Sequence, residues 1–243
     1  MKNISASVLF CFLFSLFAAG CNNEDDPTPS FNDPDRVAFY SGAEVADGQG
    51  NRYLVGFDQV SSNNQNPYVQ KRDAEGNELW RYSYETSGVD GRGVIAAVDA
   101  SDQPWVVFSL DGGSNGTDYI TRLRTDADAF NGVFQNTYGN GGGPTVAVIA
   151  RLDPESGEIM RASFLTARLT DGATNTLRIT KIGFNEGLVV VSSESAAWPP
   201  GLGLMYERFP NITDADRVDG VFKIDYAFDE ALKEIRNAVL LRE

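Results

Sequence analysis

The sequence predicts an all-β fold made of repeated four-stranded antiparallel units. Three observations predict it. A base two places before an Asp, then a short turn and resumed apolar residues, recurs at Lys71–Asp73, Arg151–Asp153 and Lys223–Asp225. A second kind of hairpin, with an Asp six residues before an aromatic, precedes the first two of these at Asp47–Tyr53 and Asp99–Trp105, and a shortened copy, Ile179–Val191, precedes the third. The two hairpins alternate, so each unit holds four short strands, which is the plan of a propeller blade. Closed propellers generally need four or more blades, and three clear units predict a small or incomplete propeller-like domain over residues 37–243.

The chain before that domain reads as an address. Lys2 is followed by an apolar run from Val8 to Phe17 and by the small residues Ala18-Ala19-Gly20 ahead of Cys21. This is the order of a secretory signal over 1–20, and the apolar run is shorter than the roughly 20 residues a membrane span needs. Ala18-Ala19-Gly20-Cys21 resembles a bacterial lipobox, although the usual Leu three places before the cysteine is Ala18 here. The resemblance implies a covalent lipid on Cys21 and a membrane held through several acyl chains, which anchor firmly where one chain does not. Cys11 falls in the expected discarded segment, which leaves no thiol for mispairing in an oxidising envelope. Residues 21–36 are polar, acidic and proline-bearing, the composition of a flexible tether. Glu24-Asp25-Asp26 resembles the acidic export signal of Bacteroidota surface lipoproteins, which implies an outer-membrane location facing the exterior.

Within the body, Asp47, Asp73, Asp99, Asp153 and Asp225 are expected to shape turns, because a carboxylate accepts backbone N–H bonds there. Gly76 and Gly157 are expected to supply positive φ. Trp80 and Trp105 stand at repeat positions and read as packing residues. "AVDASDQPWVVFSL" and "YVQKRDAEGNELWRYSY" together resemble the bacterial β-propeller repeat known as SBBP, over roughly residues 41–240. That resemblance implies architecture and transfers no catalytic residue. An insertion from Asp111 to Pro144 interrupts the second unit, and Arg124–Asp126 within it suggests a further basic hairpin over Tyr119–Tyr138. Residues Asp229–Leu241 fit a strand pair by the repeat and a helix by the spacing of Leu232, Ile235 and Val239; the repeat favours strands. Three units leave open a small propeller, a curved open sheet, or a fragment completed by a partner.

Composition excludes several functions. The 243 residues carry no histidine, so Ser-His-Asp and Cys-His catalysis and His-ligated metals are excluded. A net charge of -14 argues against nucleic acid as a partner. Asp111–Asp118 has oxygen donors and glycines suited to calcium but lacks the EF-hand spacing and reads as a solvated turn, so no cofactor is expected. Gly139–Gly143 lacks the Lys-Ser and helix that a phosphate loop requires. The segment Ala196–Arg217 is the most unusual, and Trp198, Leu204, Met205, Tyr206 and Phe209 in it are candidates for partner binding, or for folding back to cap the sheet. The expected function is a non-enzymatic surface lipoprotein that binds or scaffolds, with an outer-membrane protein as a possible partner. The alternative is a carbohydrate-binding or carbohydrate-active protein, since glycoside chemistry needs only two carboxylates.

Overall fold

The computed structural model describes residues 30–62, 64–84, 90–111, 123–140 and 145–242. The expected signal, Cys21, the Glu24-Asp25-Asp26 cluster, the calcium-like loop beyond Asp111 and Gly141–Pro144 lie outside the described residues.

Each unit read from the sequence is one four-stranded antiparallel sheet. The first sheet holds β1 (Glu44–Ala46), β2 (Arg52–Ser61), β3 (Asn64–Arg72) and β4 (Glu78–Ser83). The second holds β5 (Asp90–Val98), β6 (Pro104–Asp111), β7 (Val146–Leu152) and β8 (Ile159–Leu165). A short ladder of β9 (Ala167–Arg168) and β10 (Thr174–Asn175) follows. The third sheet holds β11 (Leu177–Asn185), β12 (Leu188–Ser195), β13 (Phe222–Asp229) and β14 (Ile235–Leu241), with a single 3-10 turn at Asp214–Asp216 before β13. Strand order follows chain order in every four-stranded sheet, as in propeller blades, and among the described residues no sheet closes on itself. The carboxy-terminal segment is therefore the strand pair that the repeat favours.

The middle sheet organises the body. Along β6, Val106, Phe108 and Leu110 pack toward the first sheet, while Trp105 and Val107 pack toward the third. Along β7, Val148, Ala150 and Leu152 face the first sheet, and Ala147 and Ile149 the third. Period-two alternation thus supplies two cores from one set of strands, and β7 reads as a continuous apolar run because both faces are buried.

The sheets are also joined by repeated polar contacts. Trp80 on β4 donates its indole N–H to the Pro154 carbonyl at 3.3 Å, and Lys71 beside it donates to the same oxygen at 2.9 Å. Tyr84 donates to the Gly157 carbonyl at 2.6 Å. Arg161 on β8, at the position of Trp80, donates to the Ala231 carbonyl at 2.6 Å. Trp80 and Arg161 on fourth strands, with Lys71 on β3 and Tyr84 just after β4, thus hold the last turn of the next sheet.

The turns behave as carboxylate chemistry dictates. Asp47, Asp73, Asp99 and Asp153 each accept backbone N–H bonds within their own turn. Asp99 also accepts the Trp105 indole N–H at 2.9 Å, which explains the six-residue spacing in the second unit. Asp225 is a correction. It lies inside β13, buried, and accepts the Asn32 amide at 2.7 Å. The turn carboxylate of the third unit is Asp229, which accepts from the Lys233 and Glu234 amides. The strand runs further than the Lys-x-Asp alignment allowed.

Two further expectations change. The packed body includes residues before 37. Phe31, Val37 and Phe39 cover the outer face of the third sheet, and Tyr40 pairs with Ile182 on the edge of β11. The apolar residues in this stretch give it a face to bury, so the tether expected over 21–36 loses its last residues to the fold. The hairpin expected over Tyr119–Tyr138 is not formed by its described part, 123–138, which runs in turns. The carbonyls of Arg124, Ala129 and Gln135 accept the N–H groups of Ile159, Ala162 and Phe164, so this segment covers the edge of β8.

Gly157 has φ +68, and a Cβ there would lie 2.9 Å from Tyr82 and 3.1 Å from Trp80; Gly76 has φ +91 with open space around it. Gly76→Ala should cost about 1 kcal/mol from backbone strain, and Gly157→Ala about 2–4 kcal/mol because crowding adds to it, as read by urea denaturation. The Ser156 and Glu155 N–H bonds hold the Asp153 carboxyl below its ordinary pKa. A depressed carboxyl stabilises the fold above its unfolded pKa of about 4 and loses that effect as pH falls through the folded value. Asp153→Ala should therefore cost about 1 kcal/mol or less at pH 7, shrinking toward zero in melts taken below about pH 3.

Candidate functional site

The segment expected to bind a partner forms a flap, residues 198–210, built on the third sheet. Its base is locked. Trp198 packs on Phe222 with ring centroids 5.5 Å apart, and its backbone pairs with Arg168. The Trp198 indole N–H donates to Thr170 at 3.2 Å. Tyr206 donates its hydroxyl to the Trp198 carbonyl at 2.8 Å, and Tyr226 donates to the Pro200 carbonyl at 2.9 Å. The Arg208 guanidinium lies 3.4 Å above the Trp198 ring, and that of Arg168 lies 4.1 Å above Tyr206. Burial pushes the Tyr206 hydroxyl above its ordinary pKa, while Arg168 and Arg208 pull it back.

The flap therefore divides the five candidates. Trp198, Tyr206 and Phe209 fold inward against the core of the third sheet. Leu204 and Met205 project, at 64% and 65% exposure, and Leu202 joins them at 54%. Gly203 pairs both ways with Ile235, which pins the tip to the edge of β14. The aromatics of this segment cap the sheet and its aliphatics face outward. Leu202 was not singled out, although it repeats the Leu204 pattern around Gly203.

A second feature had no signal in the sequence reading. A cleft of about 420 Å³ separates the second sheet from the third near the start of β5 and β11. It exists because small residues stand where the sheets meet: Ser109, Ala147, Thr176 and Ala196. Further along the same interface Trp105, Phe184 and Tyr226 pack closely. Val94, Val107 and Ile179 contribute apolar surface to the cleft. Two ion pairs flank it. Arg92 and Asp111 approach to 3.7 Å, with Thr145 donating to Asp111. Arg178 donates its Nε–H to Glu194 at 2.8 Å. The four charged residues come from β5, β6, β11 and β12, so only the folded sheet stack brings them together.

Among the described residues, no three His, Cys, Asp or Glu side chains come close enough to hold a metal. The turn carboxylates are each engaged with backbone N–H groups. Asp111 and Glu194, the two acids of the cleft, each sit beside a guanidinium. That arrangement suits holding a ligand's polar groups more than lending a proton to a leaving group. No protein-family model matches the chain, and no curated protein is significantly similar to it in sequence.

The division of the flap is testable by stability. Trp198→Ala removes the indole packed on Phe222 and should cost about 2–4 kcal/mol in urea denaturation. Met205→Ser, at the exposed tip, should stay within about 0.5 kcal/mol of the parent.

Proposed function

We propose that this chain is a non-enzymatic, lipid-anchored module of the bacterial outer surface that docks a membrane-protein partner through the tip of the flap. One observation carries the docking: Leu202, Leu204 and Met205 are each more than half exposed on a loop whose base is fixed by stacking and hydrogen bonds. A grouped apolar surface on a rigid support is the form of a protein-contact site, because little conformational freedom is lost on binding. Arg168 and Arg208, stacked on Tyr206 and Trp198 at the base of the flap, bring further donors to it. The anchoring rests on the lipobox-like run ending at Cys21, and surface display on the acidic cluster that follows. SBBP-like repeats fit this role, because a rigid sheet stack presents a loop without chemistry of its own.

The test is crosslinking in intact cells followed by mass spectrometry of the solubilised outer membrane. The account expects a partner crosslinked near the flap, with Leu204→Asp and Met205→Asp lowering its recovery at least tenfold while total protein and melting temperature stay unchanged. Recovery of the same partner with both variants would overturn the flap as the contact. Failure of a fatty-acid label to reach Cys21 would overturn the anchor.

A further inference from the structure

We infer that the cleft between the second and third sheets binds a neutral, hydroxyl-rich ligand, a mono- or disaccharide unit. This rests on the reading of the chain as a binding module but not on where the chain resides, and the site is separate from the flap.

Arg92 and Arg178 supply two positive groups and Asp111 and Glu194 two negative ones, all lining one cleft. Each guanidinium stands beside a carboxylate. The charges cancel locally, so an ion entering the cleft gains no net attraction and must disturb a pair to be held. A hydroxyl has no such cost. It donates to a carboxylate and accepts from a guanidinium while both pairs stay in place. Hydrogen bonds to charged groups are worth more than neutral ones.

Shape points the same way. The cleft places Val94, Val107 and Ile179 beside the polar groups. An apolar wall with a few convergent polar groups is the usual form of a small-ligand site, and about 420 Å³ falls in the usual size range. A sugar ring matches this surface, with C–H groups on its faces and hydroxyls around its edge. The polar groups are also held in position. Thr145 donates to Asp111, and Arg92 donates to Gln65. A prearranged site loses less ordering entropy on binding.

The test is calorimetric titration of the full chain in a zwitterionic, sugar-free detergent. Glucose, galactose, N-acetylglucosamine and maltose are the neutral probes; glutamate, phosphate and spermidine are the charged comparators. The expected result is saturable binding of at least one neutral sugar. Ala196→Trp, which obstructs the exposed mouth, and Glu194→Gln, which removes one acceptor charge, should each weaken it at least tenfold. Met205→Ser should leave it unchanged. Thermal melts identify a variant that fails to fold, and Glu194→Gln at the polar rim then serves in place of Ala196→Trp. Absence of binding by every neutral sugar, tighter binding of a charged comparator, or equal binding by folded Glu194→Gln would overturn the inference. None of these outcomes depends on acylation of Cys21, so failure of the surface reading is seen separately.

Discussion

Burial of the middle sheet on both faces is the constraint on which the rest depends. β6 and β7 carry apolar side chains at successive positions, so neither face can meet water without a large hydrophobic cost. The first and third sheets supply the covering surfaces. Their attachment is made directional by polar contacts that apolar packing alone would not provide. Trp80 and Lys71 reach Pro154, and Arg161 reaches Ala231. Such bonds to backbone carbonyls fix how far each sheet slides over the next, and thereby set the width of the cleft and the placement of the flap.

A stack has two ends, and this one treats them differently. The third sheet would expose Val190 and Ala227, and the segment from Phe31 to Tyr40 folds over them. The first sheet has a solvated outer face. Leu54, Gln70 and Arg81 stand where the second sheet has Val106, Ala150 and Ala162. Arg81 stacks on Tyr68 at 3.9 Å and binds Asp58 at 2.7 Å, and Gln70 donates to Glu78. Polar substitution at inward-facing repeat positions is how linear arrays of repeats end in water. Strand edges are managed too: residues 124–135 cover β8, and Gly203 covers part of β14. The insertions that interrupt the repeat therefore shield the outermost strands.

The hairpins were legible in the sequence because local chemistry sets them. An Asp that caps its own turn and a Gly at positive φ leave the same mark wherever they occur, and the unit boundaries followed. Asp225 was misassigned because a Lys two places before an Asp is a weaker mark than the turn itself, and β13 continues to Asp229. Covering of the third sheet by Phe31 and Val37 was hidden by the acidic, proline-bearing residues around them, whose composition resembles a tether. For the flap, sequence identified the segment but not which residues face outward, since that depends on Phe222 and Tyr226 from a later strand. The cleft was invisible. It arises from small residues on β6 and β7 and just outside the ends of β11 and β12, which meet only when two sheets are stacked, and no local pattern records such a coincidence.

Native-state hydrogen exchange, resolved by strand, tests the two-faced core most directly. The account predicts that amides of β6 and β7 exchange only through global unfolding, whereas those of β4 and β14, at the outer edges, exchange through smaller local openings. Exchange from β6 and β7 that is faster than from β4 and β14, or separate loss of the middle sheet while the outer two persist, would contradict it.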